Sequence, residues 1–292
     1  MGLRSKVNLA FVVIFGIGLL ITTGLSFAAE FQQAREQVLH DAEVLLSIAL
    51  STRSYTVQQV RPLLSEQNEV SFLPQTVPSY AAQETFLIFK EEFPEFSYRE
   101  VALNPTNPRD LANSWEVDVI QNFISDSNLD RLTGERQTGS GDVFYLARPI
   151  RINDEACLAC HSTPDVAPQS MIEIYGASDG FGWKKDEVVG AQIITVPTDL
   201  ATSTATESTT NFVISLVSVF ILVLIALNIL LGRMFIQPLK SLAGAAESYS
   251  KGDFSPTEFA GTREDEIGKL EKAMNRLRRS LDKLLRVAEH RE

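Results

Sequence analysis

Cysteine and histidine are nearly missing from this chain. Its 292 residues hold two Cys and three His. A structural zinc site needs a second pair of ligands, and none lies near the two cysteines. A thioredoxin-like dithiol belongs at a βα junction in a βαβ pattern, which the sequence does not show. Basic residues are scarce in the middle of the chain: residues 30–210 carry 27 acids against 12 bases, whereas the two ends together carry 10 against 14. So acidic a middle excludes nucleic acid as a partner, and the basic ends suit the cytoplasmic face of a membrane. No phosphate-binding loop and no nucleophile–base pairing can be recognised, so the chain is not expected to be an enzyme. Its length leaves room for two domains, or for one domain plus membrane segments.

The two cysteines stand together in Cys157-Leu158-Ala159-Cys160-His161. This is C-x-x-C-H, the attachment signature of a c-type haem. Two thiols three positions apart each add to a haem vinyl group, and the next residue, His161, offers an imidazole as the proximal iron ligand. One covalent haem c is therefore expected. Gly and Pro punctuate the next twenty or so residues, in Ser162-Thr163-Pro164, Ala167-Pro168, Tyr175-Gly176 and Gly180-Phe181-Gly182-Trp183. Phe181 and Trp183 are candidates to pack on a porphyrin face; ordinary turns with core aromatics are the competing reading.

Residues 1–6 are short and basic, and residues 7–28 carry no charge. About twenty helical residues cross the roughly 30 Å hydrocarbon core of a bilayer. Ser26-Phe27-Ala28 has the small-x-small form of a cleavage site, but the apolar run is longer than a signal h-region, which favours an uncleaved anchor. A second charge-free run covers residues 212–231. Ser and Thr precede it, and Arg233 and Lys240 follow it. Positive flanks at the outer ends of the pair place both termini in the cytoplasm and residues 30–210 outside it. In a bacterial cytoplasmic (inner) membrane, that puts the motif on the periplasmic side, where covalent haem attachment takes place.

Between the spans, Phe31, Ala34, Val38, Ala42, Leu45 and Ala49 form one apolar stripe at helical spacing. The spacing predicts a helix from Glu30 to about Tyr55. This helix either carries motion toward the membrane, covers a sheet, or does both. Pro62 should end or kink it, and residues 65–78 read as loop. Helices are expected over 79–93, with Ser79 as N-cap, and over 109–124. Strands are expected over 97–103, 142–152 and 187–196, and Asn104-Pro105-Thr106-Asn107-Pro108 reads as a turn. The class is α+β with an antiparallel sheet.

With C-L-A-C-H-S-T-P, Y-G-x-x-x-G-F-G-W, V-V-G-A-Q-I-I-T-V-P and R-S-Y-T-V-Q-Q-V-R-P, the outer segment resembles a bacterial family of extracytoplasmic haem c sensor domains with a PAS-like fold. The resemblance covers about residues 35–200. It implies that Cys157 and Cys160 bind haem covalently, that His161 is the proximal ligand, and that Arg53 and Tyr55 belong to a motif near the haem pocket. A distal Cys thiolate, one option in the family, is excluded because there is no third Cys. The other sixth ligands on offer are Met171, ten residues past His161, and His40. A vacant or water-filled position ranks above both, because it leaves the iron open to a small molecule.

After the second span, Phe235, Leu239, Leu242, Ala246 and Tyr249 are spaced 4-3-4-3. Ile267, Leu270, Met274, Leu277, Leu281, Leu284 and Ala288 are spaced 3-4-3-4-3-4. These are coiled-coil seams. Pro238 lies in a first turn, where proline is tolerated; Gly252-Asp253-Phe254 breaks the first helix, and Asp265-Glu266-Ile267-Gly268 opens the second. Over residues 233–286 this resembles a HAMP domain, a helix–connector–helix relay. The resemblance implies a parallel four-helix bundle made by a homodimer. The tail, 287–292, leaves no room for an output domain, and His290 has neither a dimerisation helix pair nor an ATP site beside it. A downstream cytoplasmic signalling protein is thus expected in trans. The expected function is a membrane haem c receptor for a diatomic ligand or a redox change. A membrane-anchored electron-transfer cytochrome ranks second, since it gives the HAMP-like segment no task, and a peroxidase-like enzyme ranks last.

Overall fold

The computed structural model describes residues 2–139 and 141–289; His290 and the end of the expected tail lie outside the described residues. The chain divides into two units, one of residues 26–209 and one of the flanking segments.

The unit of residues 26–209 is built on a four-stranded sheet. Helix α1 (Leu3–Tyr55) is followed by a π-turn (Thr56–Val60), by α2 (Arg61–Leu63), by α3 (Ser65–Val70) and by α4 (Pro78–Glu92). Then come β1 (Ser97–Ala102), α5 (Ser114–Ser125), β2 (Leu132–Thr138) and β3 (Gly141–Arg151). Two short helices, α6 (Leu158–His161) and α7 (Gln169–Tyr175), precede β4 (Val188–Pro197), and α8 (Thr198–Leu231) leads out. The strand order is β1-β4-β3-β2, and every neighbouring pair is antiparallel. The α+β class expected from the sequence is the one observed.

Both faces of the sheet are covered, each by residues of opposite parity. On one face Tyr98, Phe144, Leu146, Ile194 and Val196 pack against the predicted stripe of α1 (Ala34, Val38, Ala42, Leu45, Ala49) and against Ala82 and Phe86 of α4. On the other, Val101, Tyr145, Ala147, Ala191 and Ile193 pack against Val119, Ile120 and Phe123 of α5. The central strand β4 is buried on both faces, which is why it reads as a run of Val and Ile rather than as an alternation.

Several local expectations need correcting. The segment expected as loop over 65–78 contains α3 and a 3-10 turn at Pro74–Thr76. Ser79 does not cap α4; Val77 precedes the helix without a side-chain cap and Pro78 opens it, as its fixed φ and missing N–H favour. Arg109 lies in a separate 3-10 turn, Pro108–Asp110. α5 starts at Ser114, where Asn113 and Glu116 form a capping box: the Glu116 N–H donates to Asn113 Oδ1 (3.2 Å) and the Asn113 N–H to Glu116 Oε2 (2.9 Å). The edge strand β2 escaped the sequence because its residues, LTGERQT, are largely polar and contain Gly.

In the other unit, α1 and α8 each hold a stretch long and apolar enough to cross a membrane. Phe15 stacks on Phe220 (3.7 Å between centroids), and Asn228 exchanges hydrogen bonds with Asn8 (3.0 Å each way). A π-turn at Gly232–Ile236 leads to α9 (Gln237–Ser250), and the last helix is α10 (Glu266–Glu289). Gly252 takes a positive φ of 81° just past the end of α9, the usual role of glycine there. The connector lies along α10: Asn275 accepts from the Phe259 N–H (3.0 Å) and donates to the Phe259 carbonyl (2.9 Å), and Asp265 Oδ1 accepts from the Gly268 N–H (2.9 Å). Of the predicted seam, Leu242 and Tyr249 are buried, whereas Leu239, Leu270 and Leu277 are exposed.

Phe123 has no exposed surface and anchors α5 to the sheet. Phe123→Ala should lower unfolding stability by about 3–5 kcal/mol, as read from the midpoint of denaturant unfolding.

Candidate functional site

A cavity of about 500 Å³ opens between the end of α1, the start of α4, β1 and the segment 150–183. Asp154 starts its floor: its carboxylate accepts from the Ala156 N–H (2.9 Å), which initiates a 3-10 turn over Glu155–Cys157 that runs into α6. One helical turn then places Cys157 and Cys160 side by side, as i,i+3 residues are, with His161 next. All three line the cavity. Both thiols are free and half-buried.

The imidazole of His161 is held from several directions. Its Nδ1 lies 2.8 Å from the Gly180 carbonyl oxygen. A carbonyl only accepts, so Nδ1 carries the proton and Nε2 keeps its lone pair. The Thr106 hydroxyl lies 3.4 Å from the same nitrogen. Trp183 stacks on the ring at 3.9 Å and 11°. The Trp183 N–H donates to the His161 carbonyl (3.2 Å) and the Gly182 N–H to the Ser162 carbonyl (3.0 Å). Burial lowers the pKa of His161, opposed by the bond to Gly180; the neutral form, the one that ligates a metal, is therefore favoured.

Burial also raises both thiols. At Cys157 Asp154 adds to the rise and Arg53 opposes it; at Cys160 Arg61 opposes it. Across the cavity wall Arg53 pairs with the buried Glu100, whose other oxygen accepts from the Tyr98 hydroxyl (2.7 Å). Burial, and then Glu100, push the Tyr98 phenol well above its ordinary range. Arg109 lies over the ring of Tyr80 (5.2 Å) and pairs with Glu84 (2.7 Å).

The residues singled out in the sequence divide. Cys157, Cys160, His161, Arg53, Met171 and Trp183 all line the cavity, and Met171 is only 3% exposed. Three lie elsewhere. Tyr55 is 62% exposed, because two helical positions past Arg53 turn a side chain about 200° away. Phe181 lines no part of the cavity, and what its backbone offers is a carbonyl that accepts from Asn104 Nδ2 (3.3 Å). His40 is exposed on α1, thirteen residues before Arg53 and so roughly 20 Å along the helix; it does not line the cavity. Trp183 packs on the imidazole. Glu100, Tyr98, Thr106 and Asn104 were missed. The one hint was the N-P-T-N-P run, which read only as a turn.

A family model described as Tll0287-like matches residues 31–197, more than half of the chain. The chain belongs to the Tll0287-like family. A second model, the HAMP domain, matches residues 230–283, so a Tll0287-like domain is joined to a HAMP domain, as the motifs implied. Among solved structures, the chain is similar to one titled the crystal structure of the cyanobacterial heme-protein Tll0287. The identity is 17%, over 52% of this chain and 94% of that one, with a TM-score of 0.40. No curated protein matches.

Within this Tll0287-like domain the Arg53–Glu100 pair ties the end of α1 to the sheet. Removing Arg53 leaves a carboxylate at 3% exposure with Tyr98 as its remaining side-chain donor. Arg53→Met should therefore cost about 3 kcal/mol in urea unfolding, and a paired Arg53→Met/Glu100→Leu variant should recover most of it.

Proposed function

We propose that this chain is a membrane-bound receptor whose cavity holds one covalent haem c. The observation that carries this reading is the arrangement of C-x-x-C-H: both thiols and the imidazole face one cavity, and the proton on Nδ1 is committed to the Gly180 carbonyl, so that Nε2 is the nitrogen available to iron. The residues fit the group. Cys157 and Cys160 would form the thioethers, His161 would be the proximal ligand, and Met171 and Val189 would contribute apolar wall. When bound, the haem would supply an iron that changes redox state or takes a small ligand.

A Tll0287-like domain together with a HAMP domain marks a membrane signal-transduction sensor, and points to signalling rather than catalysis. Two candidate membrane helices and the HAMP domain fit an inner membrane. The finer reading is supported by the charge pattern: it puts the haem domain on the periplasmic side and both termini in the cytoplasm. The stimulus is a diatomic ligand or a redox partner. A vacant or water-filled sixth position remains the favoured arrangement, with Met171, buried in the cavity wall, as the protein ligand that competes with it. Leu239, Leu270 and Leu277, exposed in one chain, are the seam that a second copy would cover in a HAMP homodimer. A partner in trans would read the relay. Ligand binding shifts the relay only through its differential affinity for two states, and a few kcal/mol suffices.

Cys157→Ser combined with Cys160→Ser should abolish haem that survives denaturing electrophoresis. Full retention of covalent haem would end the attachment assignment. The reduced full-length protein should bind carbon monoxide or nitric oxide, read from the shift of its Soret band; if it binds neither, gas sensing fails and the redox version remains. Single cysteines placed along residues 267–284 should form disulfides between chains with a 3-4 periodicity; a flat profile would count against the HAMP dimer.

A further inference from the structure

We propose that Asn104 is a positioning residue for the axial histidine and tunes the iron through it, an inference that rests on the haem reading above. Asn104 follows β1 and belongs to the N-P-T-N-P run, 57 residues before His161. Its amide grips a single stretch of backbone at two points. Oδ1 accepts from the Gly180 N–H (3.1 Å), and Nδ2 donates to the Phe181 carbonyl (3.3 Å). Between those two points lies the peptide unit whose carbonyl accepts the Nδ1 proton of His161 at 2.8 Å. The side chain thus brackets the group that orients the imidazole.

The backbone just beyond is held as well: the Gly182 N–H donates to the Ser162 carbonyl and the Trp183 N–H to the His161 carbonyl. Gly180 has φ +84°, a conformation that side chains rarely adopt, and a Cβ there would meet Thr106 Oγ1 at 2.0 Å. Thr106 itself sits two residues after Asn104, so the turn that carries Asn104 also sets the wall against which Gly180 is pressed. One short turn therefore fixes the loop from both sides, through a polar grip and a steric stop.

The chemical consequence comes from how a second hydrogen bond acts on a metal-bound imidazole. The stronger the acceptor at Nδ1–H, the more basic the ring and the better it stabilises the oxidised iron. Loosening the Gly180 carbonyl weakens that bond and raises the midpoint potential. Asn104 is exposed, so its replacement opens no core cavity.

The test is a redox titration of the full-length, haem-loaded protein in detergent, comparing wild type, Asn104→Ala and Asn104→Leu. Haem stain after denaturing electrophoresis controls for loading. The potential of Asn104→Ala should move positive. Asn104→Leu keeps the side-chain volume, loses both hydrogen bonds and adds no charge, and should move the potential the same way. An unchanged or more negative potential in loaded Asn104→Ala overturns the inference. If Asn104→Ala fails to load, Asn104→Leu is read in its place; if neither loads, the residue serves folding and the inference is also overturned. Wild type without covalent haem would instead remove the underlying reading, so the two failures are distinct.

Discussion

The constraint on which the outer unit depends is the burial of both faces of a four-stranded antiparallel sheet. A sheet of this size is stable only when its apolar side chains are taken out of water. Here the long helix and α4 cover one face and α5 covers the other. That arrangement leaves the ends of β1 and β4, together with the connections beside them, free to form a cavity. The motif Cys157–His161 stands on one such connection, between β3 and β4, and Thr106 and Asn104 stand on another, after β1. The site is thus a product of loops, as functional sites commonly are, held by a sheet whose own residues contribute mainly its walls.

Two polar groups of that wall have partners that limit their motion. Glu100 is held between Arg53 and Tyr98, and His161 between a carbonyl, a hydroxyl and an indole ring. A buried ion pair of this kind contributes little net stability, but removing one member is costly. The site is therefore intolerant of losing its own charges singly. The imidazole is preorganised by contacts made entirely within the protein.

Much of this architecture was legible in the sequence, for physical reasons that differ by element. The α1 stripe was visible because a helix against a flat sheet must be apolar at intervals of three and four. β4 was visible because burial on both faces demands Val and Ile, and β3 because its buried stretch, Val143–Ala147, is continuously apolar. β2 was not, since an edge strand half in water needs no such pattern. The core of the site was legible because Cys157, Cys160 and His161 fall within one helical turn of each other, and all three line the cavity. Its periphery was not. Tyr55 and Arg53 are neighbours in a motif yet face opposite ways, and nothing in the local sequence of Asn104 says that it meets Gly180, 76 residues later. Long-range pairing of small polar residues leaves no periodic trace.

The wide turn at Thr56–Val60 has a consequence for phase. Pro62 has no N–H to give and its ring would strike the carbonyl four residues earlier, so the preceding turn opens to five-residue spacing. In a regular helix, residues four apart drift by about 40° at each step, and Arg61 would have rotated well away from the direction of Arg53. The widened turn absorbs part of that drift. Arg53, Val57 and Arg61 remain on one side and all reach the cavity. A single imino acid thus works as a vernier, bringing a third row of side chains into line with a site that an uninterrupted helix would have left behind.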